Sequence, residues 1–107
     1  MGFKFEYART SQTELESLKV FKRRKVYDAI HAQLGNDPDS ASRNRKCLGD
    51  KVTANFEYLP PLWELRVDDV RVFYEVDRKT LIIVIHAVRL KPPAKTTSQV
   101  LIEADDD

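Results

Sequence analysis

Residues 63–76, Trp-Glu-Leu-Arg-Val-Asp-Asp-Val-Arg-Val-Phe-Tyr-Glu-Val, alternate apolar with other side chains on both sides of one acidic pair. A period of two is the signature of a half-buried strand, and a two-residue interruption between two such runs is that of a hairpin. Trp63, Leu65, Val67, Val70, Val72, Tyr74 and Val76 then share one face, while Glu64, Arg66, Arg71, Phe73 and Glu75 share the other. With Asp68-Asp69 as the turn, Val67 faces Val70, Arg66 faces Arg71, Leu65 faces Val72 and Glu64 faces Phe73. A slip of one residue would turn the whole apolar set to solvent, so this register is the one expected. Asp77-Arg78-Lys79-Thr80 supplies the next turn. Residues 81–88, apolar on both faces except at His86, read as a central strand. The chain is thereby committed to a three-stranded antiparallel meander.

Upstream the period changes. Phe3, Phe5 and Tyr7 alternate with polar neighbours and predict an N-terminal strand. Ser11-Gln12-Thr13-Glu14 has the form of a capping box and predicts a helix start. Leu15, Leu18 and Phe21 form one helical stripe, and Val26, Ile30 and Leu34 another, out of phase across Lys22-Arg23-Arg24-Lys25. A kinked helix or a helical hairpin follows, with the basic cluster at its joint. Gly35-Asn36-Asp37-Pro38 ends it. Residues 36–62 carry fewer signals: turn chemistry at residues 37–40, a short helical turn around residues 42–48 with Leu48 anchored to the core, and extended backbone at Pro60-Pro61. Residues 96–102 fit a short strand or helix. The order gives an α+β fold, a single small domain with its helices packed on one sheet face.

At 107 residues the chain is the size of one domain able to bury a core unaided. Cys47 is the sole cysteine, which excludes an internal disulfide and a cysteine-based zinc site. No cofactor or metal is expected. The longest apolar run, residues 81–85, is far shorter than the roughly 20 residues of a membrane helix, and residues 1–9 lack an apolar signal core. No membrane association and a reducing cytoplasm are the expectation. Four of the seventeen acidic residues lie in the last five positions, leaving 18 basic against 13 acidic side chains over residues 1–102, a charge of +5. We therefore expect a basic domain over 1–102, suited to an anionic partner such as nucleic acid, and a disordered acidic tail over 103–107.

Two opposed arginines forgo a favourable cross-strand pair worth roughly 0.2–1 kcal/mol and add repulsion. An anion at that place would offset both terms, because a guanidinium offers a fork of donors matched to phosphate oxygens. Glu64 and Glu75 could instead neutralise the arginines as a surface charge ladder. His86 is a candidate proton carrier or a hydrogen-bonded structural histidine. Trp63 and Tyr74 fall on the core face. No Gly-rich phosphate loop, Ser/His/Asp set or paired catalytic carboxylate is present, and Cys47, beside Arg45 and Lys46, has no neighbouring base to activate it.

The stretch WELRVDDVRVFYEVDRKTLIIVIHAVRLK resembles the C-terminal half of RelE/ParE-type toxins of bacterial toxin–antitoxin pairs. Their pattern is a strand ending in Leu-Arg-Val, a tight turn, an Arg-Val-x-Tyr strand and an apolar strand running into basic residues. Leu34 to Pro38 and Lys46 to Leu48 match the upstream order. The resemblance implies a metal-independent, ribosome-dependent mRNA endonuclease, or a DNA gyrase inhibitor of the sister branch, or a member that only binds a partner, and in each case a cognate antitoxin. It implies that Arg71 contacts the scissile phosphate, with Arg66 and Arg89 beside it. Lys91, Lys46, Arg45 and Arg43 are then the RNA-binding candidates, and His86 and Glu64 the candidate acid and base. Leu62 and Glu64 stand where ribonuclease members often carry lysines, and no tyrosine follows Tyr74.

Overall fold

The structure, a computed structural model, describes residues 2–103. Its elements run β1 (Lys4–Tyr7), α1 (Arg9–Ser17), α2 (Val20–Leu34), β2 (Arg45–Gly49), β3 (Leu62–Val67), β4 (Val70–Asp77), β5 (Ile82–Leu90) and α3 (Thr97–Ile102). The strands form one five-stranded sheet in the order β1-β5-β4-β3-β2. The meander β3-β4-β5 is antiparallel, and β3 pairs with β4 in the register expected above, Arg66 opposite Arg71. β1 lies parallel to β5, and β2 adds an antiparallel edge to β3.

The apolar face of the hairpin faces the helical pair. Trp63, Leu65, Val67, Val70, Val72 and Tyr74 join Val26, Ile30 and Leu34 of α2 and Ile83, Ile85 and Val88 of β5 in one buried cluster. Tyr74 carries its polar end into this core because its hydroxyl donates to the Pro38 carbonyl at 2.6 Å. The helical joint falls at Leu18–Lys19, before the basic cluster rather than at it. Lys22 and Lys25 instead reach the β3–β4 turn, where they pair with Asp69 at 3.0 Å and Asp68 at 2.5 Å. Asp68 holds a left-handed φ of 54°, which a short polar side chain tolerates better than most. Gly35 follows α2 with a helical φ of −62°, so positive φ is not its role. A Cβ there would lie 2.8 Å from the His31 carbonyl oxygen, which reserves the position for glycine.

Three expectations are corrected. Ser11 and Glu14 form no capping box: α1 starts at Arg9, the Ser11 hydroxyl donates to the Ala8 carbonyl at 2.7 Å, and Glu14 turns to β5. Residues 45–49 are an edge strand instead of part of a helical turn. The second sheet face is also covered. Leu62, Phe73 and Ala87 pack there with Val100 and Leu101 of α3 and with Leu48, Val52, Ala54, Phe56 and Tyr58. Thr96 and Gln99 form the chain's capping box, which starts α3. Glu103 closes α3 with an N–H bond to the Gln99 carbonyl, and the rest of the acidic tail, residues 104–107, lies outside the described residues.

Candidate functional site

The second face is where the charged residues of the meander meet. On β5, Tyr74 faces Ile85 whereas Phe73 faces Ala87, so His86 is an extra residue, a β-bulge. Beyond the bulge the register has moved by one, and Arg89 stands opposite Arg71. Arg66, Arg71 and Arg89 therefore form one cross-strand row over three adjacent strands. Neighbours in such a row have Cβ atoms about 5 Å apart, and like charges there repel.

Two of the three guanidiniums are held by carboxylates. Arg71, only 6% exposed, donates from Nη1 to the Asp68 carbonyl at 2.8 Å and the Val70 carbonyl at 3.0 Å. Its Nε lies 3.9 Å from Glu64 Oε2. Glu64 itself is 3% exposed and accepts a bond from the Thr97 hydroxyl at 3.1 Å, so α3 seals the pair. Arg89 donates from Nε to Glu14 at 2.8 Å, from Nη1 to the Val100 and Leu101 carbonyls at 2.9 and 3.2 Å, and from Nη2 to Asn55 at 2.7 Å. The other Glu14 oxygen takes the Val88 N–H at 3.0 Å, which caps the part of β5 that β1 does not reach. Arg66 is exposed, and its side chain makes no hydrogen bond or ion pair among the described residues. With Glu14 and Glu64 offsetting two of the three arginines, Arg66 carries the uncompensated charge of the row.

The remaining candidates divide. Lys46 is exposed on the same face, opposite Glu64, and Lys91 leaves β5 at the β3–β4 turn, its N–H bonded to the Asp69 carbonyl at 2.7 Å. Arg45 lies on the helix side, bonded to the Gln33 carbonyl at 3.1 Å and the Ser40 carbonyl at 2.9 Å, and Arg43 is exposed in the loop before β2. The fold does not bring these two to the row. His86 sits at the far end of the face, its Nε2 2.5 Å from Glu75 Oε1 and its ring stacked on Phe56 at 5.2 Å. The Arg89 guanidinium lies over the same Phe56 ring at 5.5 Å, so Phe56 packs against both the row and His86. Sequence reasoning missed Glu14, Asn55, Phe56 and Thr97 as parts of this face. The Thr96-x-x-Gln99 spacing was the available signal for α3.

The family model of the ParE toxin of type II toxin–antitoxin systems matches residues 5–90. The chain belongs to that family. Solved structures agree on the fold of the toxin. One is the RelBE2 toxin–antitoxin complex of Mycobacterium tuberculosis, 19% identical, covering 85% of this chain and 100% of that one, with a TM-score of 0.66. The archaeal RelE–RelB complex of Pyrococcus horikoshii OT3 is 20% identical over 88% of this toxin and 100% of that chain, with a TM-score of 0.63. The isolated E. coli RelE toxin is 10% identical over 87% and 88% of the two chains, with a TM-score of 0.62. No curated protein matches by sequence at a significant level. Among the described residues no cluster of side chains could hold a metal ion, and no helix is long and apolar enough to cross a membrane.

Proposed function

We propose that this toxin arrests growth by cleaving ribosome-bound mRNA, with the scissile phosphate held on the arginine row, and that a cognate protein antitoxin neutralises it. The observation that carries the reading is the row itself: Arg66, Arg71 and Arg89 on three adjacent strands. Arg71 and Arg89, held by fixed hydrogen bonds beside the exposed Arg66, form donors set in advance, which need no reorganisation as a transient phosphorane charge develops. Glu64, 3.9 Å from Arg71, is the carboxylate placed to take the 2′-hydroxyl proton as that oxygen attacks phosphorus. The 5′-oxygen leaves and is protonated from solvent, giving a cyclic phosphate and a 5′-hydroxyl. His86 is committed to Glu75 and packed behind Phe56, so it takes no part in the step. Because Arg71 and Glu64 are buried, substrate on the exposed Arg66 reaches those two only as the Thr97–Glu64 contact opens.

The test is primer extension on messages from programmed ribosomes treated with purified toxin. Defined breaks are expected, and Arg71→Ala should reduce their rate by about 10²–10³-fold. Intact message would defeat the endonuclease reading. A second reading, inhibition of DNA gyrase without catalysis, is favoured by one observation: Arg71 and Glu64 neutralise each other under α3. Loss of supercoiling activity with message left intact would select it.

A further inference from the structure

Segment 51–59 crosses the second face without joining the sheet. Val52, Ala54, Phe56 and Tyr58 turn inward. The Tyr58 hydroxyl closes the curl, donating to the Val52 carbonyl at 2.6 Å and accepting its N–H at 2.9 Å. A groove of about 660 Å³ lies inside, lined by this segment and by Glu75 of β4. The volume is that of a typical ligand site, and the charge of its lining is one-sided: Glu57 and Glu75 are acidic, and no basic residue contributes.

Glu75 is 7% exposed, and its Oε1 accepts the Leu59 N–H at 2.9 Å while lying 2.5 Å from His86. Its Oε2 makes no hydrogen bond among the described residues. That oxygen keeps contact with solvent and so stands open to a donor entering the groove, which would form a charge-assisted bond with it. Nucleic acid is excluded by charge, because a phosphate would meet two carboxylates. A cationic side chain fits, its methylene stem lying along Tyr58 and Leu59 and its head on Glu75. The face as a whole is polarised, with Arg66 and Lys46 exposed towards the hairpin end and Glu57 and Glu75 at the other.

We propose that this groove is a docking site for an arginine or lysine side chain of the antitoxin. The bound antitoxin segment is charge-ordered, its acidic residues facing Arg66 and Lys46 and its basic residue seated on Glu75 and Glu57. The inference rests on the antitoxin part of the proposed function and is independent of RNA cleavage.

The test uses full-length toxin and the protein from the neighbouring reading frame, with affinity measured by calorimetry. Glu57→Lys, an exposed change outside the arginine row, should weaken binding roughly tenfold or more and leave message cleavage by the free toxin unaltered. Glu75→Gln should weaken it comparably, and reversing the antitoxin's basic residue to Glu should restore binding to Glu57→Lys. As a direct probe, N-acetyl-argininamide should shift the amide resonances of residues 52–59 whereas N-acetylglutamate should not. Folded Glu57→Lys and Glu75→Gln proteins that bind the antitoxin within twofold of the parent would overturn the proposal. A parent toxin that does not bind the neighbouring protein at all defeats the antitoxin reading itself.

Discussion

The two faces of the sheet solve different problems with the same strands. The helix face has an apolar centre that seals Leu65, Val72 and Ile85 against Val26, Ile30 and Leu34 with no exposure at all. The opposite face carries three arginines and two glutamates on β3, β4 and β5, and its cover is one six-residue helix and an unpaired segment. Burial on the first face is held by area, at about 25 cal/mol per Å² of apolar surface. Burial on the second combines a smaller apolar cluster, Leu62, Phe73, Ala87, Val100 and Leu101, with polar contacts such as Thr97–Glu64 and Arg89 with the α3 carbonyls. The difference is one of kind: the first face is held by apolar packing, and the second keeps charged groups paired beneath a thin cover.

Truncating one fully buried leucine on each side should expose the contrast most strongly. Leu65→Ala on the helix face should cost roughly 2–5 kcal/mol in chemical denaturation, as a cavity that packed helices cannot refill. Leu101→Ala on α3 should cost less, because a helix of six residues can shift or fray to collapse the void. Hydrogen exchange locates the loss: α3 amides should exchange faster in Leu101→Ala while those of β3 and β4 remain protected. Equal costs and uniform exchange would mean that the two faces are one cooperative core.

On the charged face the informative change is Glu64→Gln. It leaves Arg71 without its carboxylate, so a single-stranded RNA oligonucleotide should bind more tightly, with a salt dependence steeper by about one phosphate contact. The same change should lower cleavage on the ribosome if Glu64 accepts the 2′-hydroxyl proton. Affinity and rate moving in opposite directions distinguish a base from a mere counter-charge; tighter binding with unchanged cleavage would remove Glu64 from the chemistry.

The helix face was the legible one. Alternation from Trp63 to Val76 specified both the register and the core side chains, because only one pairing buries them all. β2 was not legible, since Arg45 to Gly49 form an edge strand with no fully buried residue and hence no alternation to detect. Segment 51–59 shows the converse. Val52, Ala54, Phe56 and Tyr58 alternate because the segment lies flat on the sheet face, although it forms no ladder. The opposition of Arg66 and Arg71 followed from the turn, but the place of Arg89 did not. Without the bulge at His86, continuing the Tyr74–Ile85 pairing would set Val88 opposite Arg71. One extra residue, which no side-chain pattern announces, completes the arginine row.

Tyr7 gives a smaller test on the helix side. Its hydroxyl is buried without a hydrogen-bond partner among the described residues, and burial pushes its pKa up to about 12, with Tyr27 adding to the rise. Tyr7→Phe removes an unsatisfied polar group at constant shape and should raise stability by about 1 kcal/mol. The linkage has a definite sign. A folded pKa above the unfolded value of 10.0 means that the unfolded state releases the proton first. The parent should therefore lose stability as pH rises from about 10 towards 12, and Tyr7→Phe should lack that component.

The smallest effect belongs to the contacts that join the helical layer to the hairpin turn. Asp69 titrates below the ordinary carboxylate range, first because of its hydrogen bond from Lys22. A depressed folded pKa contributes stability above the unfolded value and loses it as pH falls below about 4. The pair is half open to solvent, with side-chain exposures of 32% and 50%, so screening keeps its worth under about 1 kcal/mol. Lys22→Ala should accordingly lower the denaturation midpoint slightly at neutral pH and by less as acid protonates Asp69, and 1 M salt should erase most of the neutral-pH difference. A loss that survives salt would show that Lys22 acts through packing of its methylene stem and not through its charge.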